Sequence, residues 1–148
     1  MTVDGLPLHP LIVHATVVAL PVLAVLSLAY LRPRWRDGLR WPLAGMGVVS
    51  AVLMWFTSAS GDSLKHDRFS QISGVLAQRI QHHEDLAGKL AVATYTLAAV
   101  AVIMTVLRGK LPMPVLWLGS VLLVVGAVGV GVLVVLTGHA GAEAAWAQ

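Results

Sequence analysis

Long apolar runs separated by short polar segments make up most of this chain. Four of them, residues 11–31, 42–60, 86–107 and 115–137, are long enough to cross a bilayer, which takes about 20 mostly apolar residues. The first has no basic segment before it and no small-residue cleavage site after it, so it reads as a retained helix and not as a leader. The third is preceded by a helical pattern. In "ISGVLAQRIQHHEDLAGKLAV" apolar positions recur at Val75, Leu76, Ile80, Leu86, Ala87 and Leu90, the spacing of one helix face. That helix is expected to begin near Gly74 and to project from the membrane by two or three turns. The pattern predicts an all-α integral membrane four-helix bundle, one domain over residues 1–148.

Composition sharpens this picture. The chain is 57% hydrophobic and 11% charged, too apolar for a soluble domain of its size. It has no cysteine, which excludes disulfides, thiolate metal sites, iron–sulfur clusters and covalently attached c-type haem. The net charge of +3 does not point to nucleic acid, because the positive charge is gathered at one end of the bundle. The first connecting segment, "RPRWRDGLRW", carries Arg32, Arg34, Arg36 and Arg40 against Asp37; the third, "RGKLPMP", carries Arg108 and Lys110 and no acid. The opposite side carries Asp4, Asp62, Asp67, Glu84, Asp85 and Glu143 against Lys65, Arg68 and Arg79. Basic connecting segments stay in the cytoplasm, so both termini are expected outside, in a multi-pass protein of the bacterial inner membrane. Trp35, Trp41 and Trp117 fit an aromatic belt at the cytoplasmic edge, and Trp146 fits one at the outer edge.

This topology gathers the histidines. All six, His9, His14, His66, His82, His83 and His139, fall on the outer side. Asp62 joins them at the end of the second span. Pro10 suits a first helical turn, which would put His14 one turn deeper, within the hydrocarbon edge, and His9 at cap level. On the third helix His83 shares a face with Leu76, Ile80, Ala87 and Leu90. His82, about 100° away, faces water or headgroups, as does Lys89. His139 lies between Gly138 and Gly141, in a segment that permits a close backbone approach. Glycines on the second and fourth spans allow tight helix packing or a flat cofactor between helices.

Imidazole without thiolate suits haem iron, zinc, copper or nickel. Histidines within spanning segments are functional candidates. A bis-histidine b-type haem calls for two histidines on different helices at matched depth, and His14 with His83 is the expected axial pair. His9 and His139 are then neighbours of the site or a second ligand pair. Arg79 and Lys89 are cations suited to haem propionates. A zinc or copper site would draw on His14, His83, His139 and Asp62. Nothing in the sequence matches a Ser–His–Asp hydrolase, a phosphate loop or a nucleotide fingerprint, and whether the chain is an enzyme stays open.

Four segments carry a resemblance: "HPLIVHATVVALPVL" at the start, "SGD" closing the second span, "HHEDLAGKLAV", and "TGHAGA" followed by Trp146. Together they resemble the bacterial membrane family catalogued as domain of unknown function 2231, over essentially the whole chain. Members typically read His-Phe-Pro-Ile after the valine, where this chain reads His-Ala-Thr-Val. Some members look fused to cytochrome c-like or Rieske-type domains, and the resemblance therefore implies a redox setting. The expectation is a haem b protein in the lipid bilayer that passes electrons to such an extracytoplasmic partner, with a homo-oligomer among its expected assemblies. The rivals are a zinc- or copper-binding membrane protein and a structural subunit of a larger membrane complex.

Overall fold

The computed structural model describes residues 2–3, 6–64 and 74–146. A short antiparallel pairing of β1 (Thr2–Val3) with β2 (Leu6–Pro7) precedes four long helices. These are α1 (Leu8–Tyr30), α2 (Arg36–Leu64), α3 (Val75–Val106) and α4 (Met113–Ala145). A single 3₁₀ turn, Pro33–Trp35, links α1 to α2. All four helices are long and apolar enough to span a membrane. Gly74 begins α3 with a positive φ of 83°, where the periodicity of the segment placed the start. With 32 residues, α3 is about 48 Å long, well beyond a hydrocarbon core of about 30 Å.

The helices pack in a ring in which α1 neighbours α2 and α4, and α3 neighbours α2 and α4. The inward positions of α1 are Thr16, Leu20, Leu23, Ser27 and Tyr30, at steps of three and four residues that keep one stripe on one side. The polarity is that of a lipid-immersed chain. Large apolar side chains cover the outside, with Val92 68%, Trp117 70% and Val135 70% exposed. The buried polar residues are all small hydroxyls: Thr16, Ser27, Ser50, Ser60, Thr94, Thr105 and Thr137. Most bond locally. Ser27 donates to the Leu23 carbonyl at 2.7 Å and Thr105 to the Ala101 carbonyl at 2.7 Å, the i−4 bond that lets a hydroxyl sit inside an apolar bundle.

Three glycines set the helix spacing. A Cβ at Gly119 would strike the Met104 sulfur, and one at Gly126 would lie 3.1 Å from Leu97 Cδ1. Gly47 faces backbone, with the Ala98 carbonyl oxygen 3.3 Å from the position of its missing Cβ. Small residues allow such approach where lipid gives no hydrophobic drive between helices.

Arginines finish the other end. Arg36 donates from Nε to the Tyr30 carbonyl at 3.3 Å and from Nη2 to the Leu31 carbonyl at 3.2 Å. Arg40 donates from Nε to the Thr105 carbonyl at 2.9 Å and from Nη2 to the Val106 carbonyl at 3.3 Å. The last carbonyls of α1 and α3, which have no partner within their own helices, are thus satisfied by two cations at the negative ends of the helix dipoles.

The close approach at Gly47 gives a test of the packing. Gly47→Leu should destabilise the detergent-solubilised protein by about 1–3 kcal/mol through overpacking against α3, read as a fall in Tm. Gly45→Leu, with nothing within 4 Å of its added Cβ, should stay within about 0.5 kcal/mol of the parent. Equal effects from the two would mean that α2 and α3 do not meet at Gly47.

Candidate functional site

The site is built at the end of the bundle where α1 begins and α4 ends. His9 and His83 are both half-buried, and each is held in the same way by a neighbouring helix. His9 Nδ1 lies 3.0 Å from Ser60 Oγ on α2. The Ser60 hydroxyl already donates its one proton to the Thr57 carbonyl at 3.0 Å, so its oxygen accepts and His9 Nδ1 donates. His83 Nδ1 lies 3.0 Å from the Thr137 carbonyl on α4. A carbonyl only accepts, so in the neutral ring the proton again sits on Nδ1. In both rings Nε2 keeps the lone pair that a metal or a proton would take.

A glycine clears the space beside each ring. A Cβ on Gly61 would lie 3.3 Å from His9 Cε1, and one on Gly141 would lie 3.1 Å from His83 Cε1. The two rings therefore press against helix backbone, one on α2 and one on α4. Below His9 the hydroxyls continue inward: Thr16 Oγ1 and Thr57 Oγ1 are 2.7 Å apart, and each has a carbonyl one turn back at 2.9 Å and 2.8 Å. Beside His83, the buried Thr137 hydroxyl has no partner.

His9 lies just before the spanning segment that starts at Leu11. Its pKa is lowered from the ordinary imidazole value of 6.5. Burial is the main cause, the nearby Thr57 backbone carbonyl opposes it, and positive charge on His83 adds to the lowering.

The structure does not place His14 as its depth suggested. His14 is exposed, because it falls out of phase with the inward stripe of α1. Thr16 lies two residues on, about 200° around the helix, and Thr16 is the buried one. His9, seven residues before Thr16, comes nearly back to the same side, so the inward histidine of α1 is His9. On α3 the face argument holds, with His83 half-buried and His82 exposed.

The other expected site residues stand apart. His139 is exposed and its Nε2 lies 3.3 Å from Glu143 Oε1, one turn along α4. Asp62 and Lys89 are exposed. Arg79 donates to the Glu143 carbonyl at 3.1 Å. His66 lies outside the described residues. Among the described residues no group of three or more His, Cys, Asp or Glu side chains is placed to hold a metal ion, so the set His14, His83, His139 and Asp62 does not come together. Ser60, Thr137, Gly61 and Gly141 are the site-builders that the sequence reading passed over. Their signal was there, in "SGD" and "TGHAG", motifs that pair a hydroxyl residue with a glycine near each helix end.

A family model described as a predicted membrane protein, DUF2231, matches residues 5–148, and the chain belongs to that family. No curated protein and no solved structure matches it.

The lowered pKa of His9 fixes the sign of a pH effect. Between its folded value and 6.5 the unfolded chain binds the proton and the folded chain does not, so folding is disfavoured there. Stability should be complete above pH 6.5 and fall as the pH drops toward 5. Thermal unfolding in detergent at pH 7.5 and pH 5 checks this, and His9→Gln should narrow the difference. An unchanged difference in His9→Gln would assign the pH dependence to other groups.

Proposed function

We propose that this member of the DUF2231 membrane family holds a redox-active metal group between His9 and His83, and that the group is b-type haem. The observation that carries the reading is the pairing itself. Two imidazoles on diagonal helices, at the same end of the bundle, each have Nδ1 anchored by a neighbouring helix and Nε2 left with its lone pair. Anchoring the far nitrogen in this way is how proteins orient histidine ligands and raise their basicity.

The number of donors favours haem over zinc. Structural zinc asks the protein for four ligands and catalytic zinc for three. Haem iron asks for its axial ligands only, and His9 with His83 supplies two. Both rings are neutral in the form that binds, as a metal requires. Bound haem would take up and release one electron. The chain's own part is to fix the two rings through Ser60 and the Thr137 carbonyl, and to seat them beside Gly61 and Gly141. Arg79 and Lys89, the cations of α3 on either side of His83, are the candidates to meet the haem carboxylates. The positive charge of the two arginine-rich connections supports a cytoplasmic position for that end. The histidine pair then faces the extracytoplasmic side, where a cytochrome c-like or Rieske-type protein would exchange the electron.

The second reading is copper at the same two nitrogens, since imidazole also suits copper and the same donor pair would serve it. One experiment separates the cases. The protein, expressed with haem supplied and purified in mild detergent, should show a Soret band that shifts on dithionite reduction. His9→Ala and His83→Ala should abolish it; His14→Ala and His82→Ala should keep it. A colourless protein with one copper per chain, lost in the same two variants, would replace haem by copper. A colourless protein with neither, or loss of the band in His14→Ala alone, would overturn the His9–His83 assignment.

A further inference from the structure

The bundle has a concave feature at its arginine end. Tyr30, the last residue of α1, donates its hydroxyl to the Met104 carbonyl at 3.2 Å, and Met104 packs on Gly119 of α4. An open cavity of 760 Å³ lies between the end of α1, the end of α3 and the start of α4. Its walls are apolar, with Met113, Leu116, Trp117 and Val121 of α4 among them. Ser120 also lines it, but its hydroxyl is already bonded to the Leu116 carbonyl at 2.8 Å. The cavity contains no histidine and belongs to neither reading of the His9–His83 site.

Two guanidinium groups join the apolar wall. Arg36 and Arg108 both line the cavity. Arg36 is held there by its bonds to the Tyr30 and Leu31 carbonyls, which orient it while leaving further N–H groups to donate. Arg108 pairs with Asp37 at the surface. Exposed pairs of this kind contribute little, so a lipid phosphate competes for Arg108 at little cost. Met113 opens α4 on the same side with no side-chain cap, and the positive end of that helix dipole adds to the two cations. Arg32, Arg34, Arg40 and Lys110 lie at the same end of the chain's fold, against the one acid Asp37.

We infer that this cavity is a binding site for one anionic phospholipid, with an acyl chain along the Leu116–Trp117–Val121 wall and the phosphate between Arg36 and Arg108. Two chemistries meet here in the order a lipid presents them, a charged head at the membrane edge and hydrocarbon below it. Basic pockets between spanning helices recognise anionic headgroups in this way. A guanidinium offers a forked pair of donors that suits phosphate. A zwitterionic lipid fits the wall equally and gains less from the cations, so the site selects by headgroup.

The test is native mass spectrometry of the full chain released from nanodiscs of equal parts phosphatidylglycerol and phosphatidylcholine. The parent protein should keep one phosphatidylglycerol in preference to phosphatidylcholine by about thirty-fold, given two cations near the headgroup. Arg36→Gln with Arg108→Gln should bring the two lipids toward parity. Asp37→Asn, which frees Arg108, should raise the preference. Val121→Trp fills the wall from an exposed position of α4 and should remove the retained lipid while the thermal unfolding of the protein stays as in the parent. Equal retention of both lipids by the parent would overturn the proposal. So would a preference that survives Val121→Trp, since the selecting charges would then lie outside the cavity.

Discussion

Lipid offers no hydrogen bond, and that constraint reaches every polar group in this bundle. The backbone answers it by forming helices. The side chains answer it by bonding back to their own helix or across to the next. Ser27, Thr57 and Thr105 each find the carbonyl one turn earlier. The last carbonyls of α1 and α3 have no such recourse, and Arg36 and Arg40 reach them from α2. These arginines are thus structural, tying α2 to the ends of its two neighbours. The same constraint explains the histidines. A ring at the edge of the hydrocarbon keeps its place when one nitrogen has a protein partner, and His9 and His83 each have one.

Because apolar surface is as content against lipid as against protein, close contact has to be obtained through shape. Gly47, Gly119 and Gly126 let neighbouring helices approach through the bundle. Gly61 and Gly141 do the same at one end, but what approaches them is an imidazole. The bundle therefore uses one device for two purposes, helix packing along its length and ring placement at the histidine end. At the arginine end the helix ends leave an open cavity. The two ends differ in kind: one holds two anchored rings, the other is open beside two guanidinium groups.

Much of the fold was legible in the sequence because membrane helices are written in continuous apolar runs, and the start of α3 at Gly74 because its apolar period begins there. The gathering of histidines at one end followed from topology alone. The choice between His9 and His14 was not legible from depth, which ranked His14 first. The phase of α1 would have decided it. In a helix that is apolar all round, hydrophobicity does not mark the inward side; small polar residues do. Thr16 and Ser27 mark it here, and His9 lies in phase with Thr16 while His14 does not. The same reading works on α3, where His83 stands seven residues before Leu90 and eleven before Thr94, both buried.

What the sequence could not give is the partner of each ring. Ser60 and Thr137 sit far from His9 and His83 along the chain and meet them only through antiparallel packing of long helices. That packing has its own logic. Arg79 reaches Glu143, His83 reaches Thr137, Leu97 meets Gly126 and Met104 meets Gly119, a steady register along the whole α3–α4 seam. A register shift of one residue would break the glycine contacts together with the histidine bond. The placement of His83 is therefore not a local property of its own turn. It is set by Gly119 and Gly126, several turns away, and a change in the seam at those glycines acts on the histidine site without touching it.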